Sequence, residues 1–172
     1  MSIFGRIYRQ LHSLILGKPT HYQKINNYLY ASGKPTKERE IRWLYNRGVN
    51  AILTLTEDPL PEHWFNMKNW EILHLSIEDH SILKNSDIQQ AVSFIEKMEN
   101  EDKKILVHCA AGIGRTGTVL AAHFMEKMNI NNIEAIKRLR KLRPRSVEKN
   151  QEIALENYYK YFKNLQTVLP CR

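Results

Sequence analysis

Apolar positions along the chain switch repeatedly between a helical spacing and short continuous runs, and the switches divide it into elements. Ile3, Phe4, Ile7, Leu11, Leu14 and Ile15 recur at helical spacing with Arg6, Arg9 and Gln10 between them, which predicts an N-terminal helix over 1–16 packed on the domain. A short strand is expected near Tyr28–Ala31, then the turn Ser32-Gly33-Lys34-Pro35. Thr36 is placed to cap a helix running to about Arg47 and stopped by Gly48. Val49–Thr56 and Trp70–Ile77 read as strands, separated by a polar loop that holds Glu57 and Asp58. Ser86 with Gln89 three residues later has the form of a capping box, and opens a helix whose stripe is Ile88, Ala91, Val92, Ile95 and Met98. A buried strand at 104–108, a helix after 115 and two further helices, about 132–141 and 148–165, complete the pattern.

Strands that alternate with helices predict an α/β fold, a central, mostly parallel sheet flanked by helices on both sides. With 172 residues, no internal repeat and no linker, a single domain over 1–172 is expected, residues 1–20 forming an N-terminal helical extension. In such sheets ligands lie beyond the carboxyl ends of the strands. Three loops should therefore meet at one edge: Glu57-Asp58, Asp79-His80 and the segment after the 104–108 strand.

Composition narrows the setting. Hydrophobic residues make up 42% and charged residues 26%, as in ordinary soluble globular chains, and no apolar run approaches the length of a membrane span. The N-terminus lacks the sustained apolar region and cleavage site of a secretory signal. Two cysteines, Cys109 and Cys171, form no disulfide framework, which points to a reducing, cytoplasmic location. The net charge of +8 favours anionic partners and is unevenly spread. No acid precedes Glu38, and Lys137, Arg138, Arg140, Lys141, Arg143, Arg145 and Lys149 face one acid, Glu148. No nucleic-acid-binding motif accompanies that charge, so nucleic acid is not expected as a partner. The basic N-terminal helix leaves contact with a membrane surface open.

The third loop carries the chemistry. In Val107-His108-Cys109-Ala110-Ala111-Gly112-Ile113-Gly114-Arg115-Thr116-Gly117 a strand turns into a helix through two glycines. Successive amides in such a turn, followed by a helix N-terminus, form a nest for phosphate. Arg115 adds a planar fork that grips two phosphate oxygens. Cys109 opens the loop, so its sulfur lies at the bottom of the nest, where a positive environment favours thiolate. A thiolate beneath a bound phosphoryl group is a nucleophile that would form a phosphocysteine, later hydrolysed by water. Amides and Arg115 already stabilise the equatorial oxygens, so neither metal nor other cofactor is called for. The segment is not a Walker motif, since it lacks Gly-Lys followed by Ser or Thr.

His108-Cys109-x5-Arg115-Thr116-Gly117 resembles the signature of the cysteine-dependent protein tyrosine and dual-specificity phosphatases, most closely the small archaeal-type and atypical members. The likeness extends through "LYASGKPT", "VNAILTLTED", "LHLSIEDH" and "KLRPRSVEKNQE". It implies the phosphotyrosine protein phosphatase fold and a phosphocysteine route. By this resemblance Cys109 is the nucleophile and Arg115 the clamp, and Ala110, Ala111, Gly112, Ile113 and Gly114 supply backbone donors. Thr116 would hydrogen-bond the sulfur, and His108 would orient the loop. Asp79 would be the general acid, in an Ile77-Glu78-Asp79 segment that resembles Ile-Pro-Asp with Glu78 in place of proline, so that the loop should be less rigid and Glu78 is a neighbouring candidate. Asp58 is the alternative acid, and Glu57 would brace Arg115. Arg143-Pro144-Arg145-Ser146-Val147 resembles the family's Arg-Pro-Gly-Ser segment, after which Gln151 would orient the hydrolytic water. The expected partners are phosphorylated proteins, on tyrosine and also on serine or threonine. A non-protein ester such as a phosphoinositide or an RNA 5′-phosphate, and an inactive phosphate-binding module, stand as alternatives.

Overall fold

The computed structural model describes residues 7–8, 11–12, 15–66 and 69–168. Five strands form one sheet: β1 (Gln23–Lys24), β2 (Leu29–Gly33), β3 (Val49–Thr54), β4 (Glu71–His74) and β5 (Lys104–Cys109). From residue 17 on, among the described residues, five α-helices and a 3-10 turn (Glu62–Phe65) accompany it: α1 (Glu38–Tyr45), α2 (Asn85–Asn100), α3 (Gly114–Met128), α4 (Asn132–Leu142) and α5 (Lys149–Val168). The order is β1-β2-β5-β3-β4, and every pairing is parallel except β1 on β2. The two-residue edge strand β1 is too short for a periodicity to reveal.

Strand β5 is central, and from Ile105 to Cys109 it is buried on both faces, as a parallel strand covered by helices must be. One face packs against α1 through Ile41 and Leu44, which meet Tyr30, Val49, Ile52 and Leu106. On the other face α3 is the hub, buried from Gly114 to Met125 and packed against α2, α4 and α5. The register sets Cys109 beside Gly33 and His108 beside Thr54. The loop after β5 therefore leaves the sheet between the carboxyl ends of β2 and β3.

Local signals were used differently from the sequence expectation. Helix α2 begins at Asn85, and no capping box forms at Ser86; its hydroxyl turns to Asp87 Oδ1 at 3.4 Å, and Gln89 Oε1 accepts from the Tyr161 hydroxyl. Thr36 does not cap α1. The buried Glu40 carboxylate instead draws in the Thr36 amide, the Thr36 hydroxyl and the Lys37 amide, because a charged acceptor serves several donors at once. Helix α1 ends at Tyr45, and Asn46 to Gly48 form a turn in which Gly48 takes φ +80°. Strand β4 stops at His74; Leu75 still donates to Thr54 O before the chain leaves the sheet. Of the expected N-terminal helix, 7–8, 11–12 and 15–16 are helical, and Ile7, Leu11 and Ile15 are exposed rather than packed against the domain. Ile3, Phe4, Arg6, Arg9, Gln10 and Leu14 lie outside the described residues.

Two histidines are buried in uncharged form. Burial is the main cause in both, pushing His108 down to about 3 and His123, beside Lys127, down to about 4. Their folded values lie below the unfolded one near 6.5, so the unfolded chain takes up protons first as pH falls. Stability is therefore full above about pH 6.5 and declines toward pH 4 by about 1.4 kcal/mol per pH unit for each histidine. Urea midpoints measured from pH 7.5 to 4.5 should fall steadily; a flat profile between 7 and 5 would contradict neutral burial.

Candidate active site

The loop from Cys109 to Gly114 is built by fixing its carbonyls. The Lys34 amide donates to Ala110 O at 3.1 Å, and His21 Nδ1 lies 2.8 Å from Ala111 O. Arg143 Nη2 donates to Gly112 O at 2.7 Å, and the Gly117 and Val147 amides donate to Ile113 O at 3.1 and 3.3 Å. In a planar trans peptide the next N–H points opposite to the carbonyl. Four carbonyls held from outside thus turn the amides of Ala111, Gly112, Ile113 and Gly114 inward, toward the side where the Cys109 sulfur lies. The Gly112 amide reaches that sulfur at 3.3 Å. Helix α3 begins at Gly114, so its positive end adds to the same concavity.

Gly112 has two reasons to be glycine. Its φ is +76°, and a Cβ there would run into the Ser32 carbonyl and the Gly33 amide. The Arg143–Val147 segment wraps the loop from behind. Arg143 is buried and also donates to His21 O and Gln23 Oε1, at 3.0 and 3.2 Å. Burial pushes its guanidinium below its ordinary value, while the nearby Cys109 sulfur acts in the opposite sense. Val147 is held at φ +66°, a strained setting for a β-branched residue, with its carbonyl pinned by Arg140 Nη2 at 2.9 Å.

Arg115 enters from the first turn of α3 and is buried, 1% exposed. Nη1 donates to Ile77 O at 2.5 Å and to Glu57 Oε2 at 3.2 Å, and Nη2 to Asp79 Oδ1 at 2.7 Å. Glu57 Oε1 accepts the Asp79 amide at 2.8 Å. Burial raises the Glu57 carboxyl, but its own amide, that of Asp79 and the Arg115 guanidinium outweigh this and hold it below its ordinary value. The three loops expected to converge do so on this guanidinium. Asp58 is tied in differently: its carbonyl accepts from Lys34 Nζ and the Thr56 hydroxyl.

The loop carrying Asp79 has Glu78 where the resembled motif has proline, but is pinned otherwise. Ser81 N donates to Glu78 O, His80 adopts φ +60°, Asn150 Nδ2 donates to His80 O at 2.6 Å, and Glu148 meets His80 Nδ1 at 3.1 Å. His108 is fully buried, with Nε2 at 3.0 Å from the Thr54 hydroxyl and Nδ1 at 3.5 Å from Cys109 O. The bond expected from Thr116 to sulfur is not made. Among the described residues Thr116 Oγ1 is buried without a partner, and the Gly112 amide holds the sulfur instead. Gln151 is buried; Thr118 Oγ1 lies 3.4 Å from its Oε1, its Nε2 has no partner among the described residues, and a Cβ on Gly114 would collide with its amide. Arg143 is the residue whose part in the site the sequence reading missed; its place in the quoted Arg-Pro-Arg-Ser segment was the available signal.

These features set a buried cysteine, an amide-lined loop and a buried arginine together at the carboxyl edge of a parallel sheet. The model of the PTP-SAK family, a Swiss Army Knife protein DSP-PTPase phosphatase domain, matches residues 25–155, and the chain belongs to that family. It is an enzyme of the protein tyrosine/dual-specificity phosphatase type. AMV078 of Amsacta moorei entomopoxvirus is 28% identical over 157 residues, 84% of this chain and 89% of its own. Dual specificity protein phosphatase 2 of Mus musculus is 28% identical over 109 residues, 63% of this chain, and the match spans only 33% of that relative's length. Among solved structures, Tk-PTP in its active form has a TM-score of 0.73 at 29% identity, covering 81% of this chain and 96% of its own. PTPMT1 in complex with PI(5)P shares the fold, with a TM-score of 0.74 at 22% identity, covering 84% and 97%.

Arg143→Met removes three hydrogen bonds, to Gly112 O at the back of the nest and to His21 O and Gln23 Oε1, without touching its inner face. With the fold retained by circular dichroism, kcat/KM on an aryl phosphate should drop by roughly 10–10³-fold, the scale of losing one preorganised oxyanion donor or somewhat less. Unchanged kinetics would mean that the carbonyl of Gly112 needs no outside support.

Proposed function

We propose that this enzyme hydrolyses phosphotyrosine in proteins, with phosphoserine and phosphothreonine as further substrates, through a phosphocysteine intermediate. The observation that carries the reading is the set of inward amides between Cys109 and Arg115, with the sulfur held at their base by Gly112 N–H. The phosphoryl group sits on the amides of Ala110 to Gly114, and its oxygens compete with Asp79 for Arg115 Nη2. Binding thus frees the Asp79 carboxyl to turn toward the leaving oxygen. Cys109 Sγ attacks phosphorus, the P–O bond to tyrosine breaks, and Asp79 gives its proton to the departing phenolate.

In the second half Asp79 takes a proton from water as that water attacks phosphorus, and the S–P bond returns its electrons to sulfur. In this reading Gln151, whose Nε2 lies unpartnered over the start of α3, orients that water, and the unpartnered Thr116 hydroxyl turns to stabilise the departing sulfur. His108 holds the loop entrance through Thr54, and Glu57 steadies the guanidinium. A reduced thiol is essential to this cycle, consistent with a reducing, cytoplasmic setting. Among the described residues no helix is long and apolar enough to cross a membrane. The uncharged side chains of Ala110, Ala111 and Ile113 favour a protein substrate over a polyanionic one such as a phosphoinositide.

The test compares wild type and Asp79→Asn on matched phosphotyrosine and phosphothreonine peptides, a phosphoinositide and an activated aryl phosphate. Wild type should favour the phosphotyrosine peptide over the phosphoinositide. Phenol leaves with a pKa of about 10 and needs a proton, so the variant should lose roughly 10²–10⁴-fold on the phosphotyrosine peptide. The activated ester should lose much less. Equal losses would make Asp79 a brace for Arg115 alone, and the same selective loss in Asp58→Asn would move the acid there.

A further inference from the structure

Lys137, Lys141 and Lys149 take no part in the chemistry above, yet they border a groove of about 1300 Å³ between α4 and the first half of α5. Its apolar surface comes from Ile133, Ile136 and Ile153, of which Ile133 is 73% exposed and Ile153 50%. The two lie on adjoining helices and line the same groove, so their exposed apolar surface faces one concavity.

The charges in the groove are unequal in a way that composition hides. All three of its glutamates are engaged: Glu148 with His80, Glu152 with Arg140 at 2.7 Å, and Glu156 with Lys160 at 2.7 Å. Lys137, Lys141 and Lys149 are exposed and enter no ion pair among the described residues. The free charge along the groove is therefore positive, beside an apolar surface. At one end the groove is lined by His80, Glu148 and Asn150, the residues that pin the loop carrying Asp79. Groove and catalytic edge are thus continuous.

We propose that this groove docks a segment of the phosphoprotein substrate, rich in Asp and Glu with an aliphatic side chain seated between Ile133 and Ile153. The proposal rests on the protein-phosphatase reading and adds the recognition element. Its carboxylates would meet Lys137, Lys141 and Lys149, favouring capture of acidic partners and holding the register of the bound chain. The aliphatic anchor would supply most of the affinity, since a well-seated interface side chain is worth more than about 1 kcal/mol, or about fivefold.

The experiment uses the full chain and phosphotyrosine peptides extended, on either side and through spacers of graded length, by a segment of aspartates and leucines. One extended peptide should show a KM about tenfold below that of the unextended peptide, with kcat little changed. Ile133→Glu, and separately Lys137→Glu with Lys141→Glu, should abolish the advantage while leaving activity on a small aryl phosphate and the melting temperature unaltered. If all peptides are hydrolysed but no extension helps, or the advantage survives both variants, the groove is not a docking site. Binding of wild type to phosphatidylserine vesicles that both variants lose, with no peptide advantage, would assign the face to a membrane and overturn the proposal. If no phosphopeptide is hydrolysed while the aryl phosphate is, the protein-phosphatase reading and the docking proposal both fall.

Discussion

The site depends on where four carbonyl groups go. A loop of six residues that turned its own carbonyls inward would repel phosphate, however well Cys109 and Arg115 were placed. The carbonyls of Ala110, Ala111, Gly112 and Ile113 are instead taken up from outside by Lys34, His21, Arg143, and the amides of Gly117 and Val147. These donors come from widely separated parts of the chain. The active loop is thus the product of tertiary structure on its outer side and of local sequence on its inner side. Gly112 joins the two, since its positive φ and the Ser32–Gly33 backbone pressed against it admit no side chain.

Arg115 shows the same division between support and chemistry. A guanidinium 1% exposed must be paired, because a buried unpaired charge costs several kcal/mol. Ile77 O and Glu57 satisfy Nη1, and Asp79 satisfies Nη2. In the proposed cycle the Nη1 partners stay in place throughout, whereas the Nη2 partner gives way to a phosphate oxygen. In the proposed cycle substrate binding and placement of the acid are therefore one exchange at a single nitrogen. His80, at φ +60° and tied to Glu148 and Asn150, would keep Asp79 within reach during that exchange.

The alternating architecture was legible because burial dictates it: Lys104–Cys109 and Val49–Thr54 are apolar enough to be covered on both sides. Element ends were less so. Glu40 captures the start of α1 although Thr36 has the better capping chemistry, and Ser86 is bypassed by a helix that starts one residue before it. The inner side of the site could be read because Cys109, Gly112, Gly114 and Arg115 lie within seven residues. Its outer side could not. Arg143 supports Gly112 across 31 positions, and His21 reaches Ala111 across 90, pairings that no spacing encodes. Gln151 has an ordinary helical context in sequence, and only the packing of α5 on α3 buries it over Gly114. The charge run at 137–149 likewise gave no sign that the glutamates beside the groove are paired while Lys137, Lys141 and Lys149 enter no ion pair among the described residues.

The central claim is that the sulfur of Cys109 carries the phosphoryl group during turnover. Rapid acid quench of wild type mixed with excess phosphotyrosine peptide, followed by proteolysis and mass spectrometry, reads this directly. A phosphate adduct is expected on the peptide containing Cys109, formed within the first turnover, decaying as substrate is exhausted, and absent from Cys109→Ser. Turnover with no adduct at Cys109, or an adduct on another residue, would contradict the covalent route.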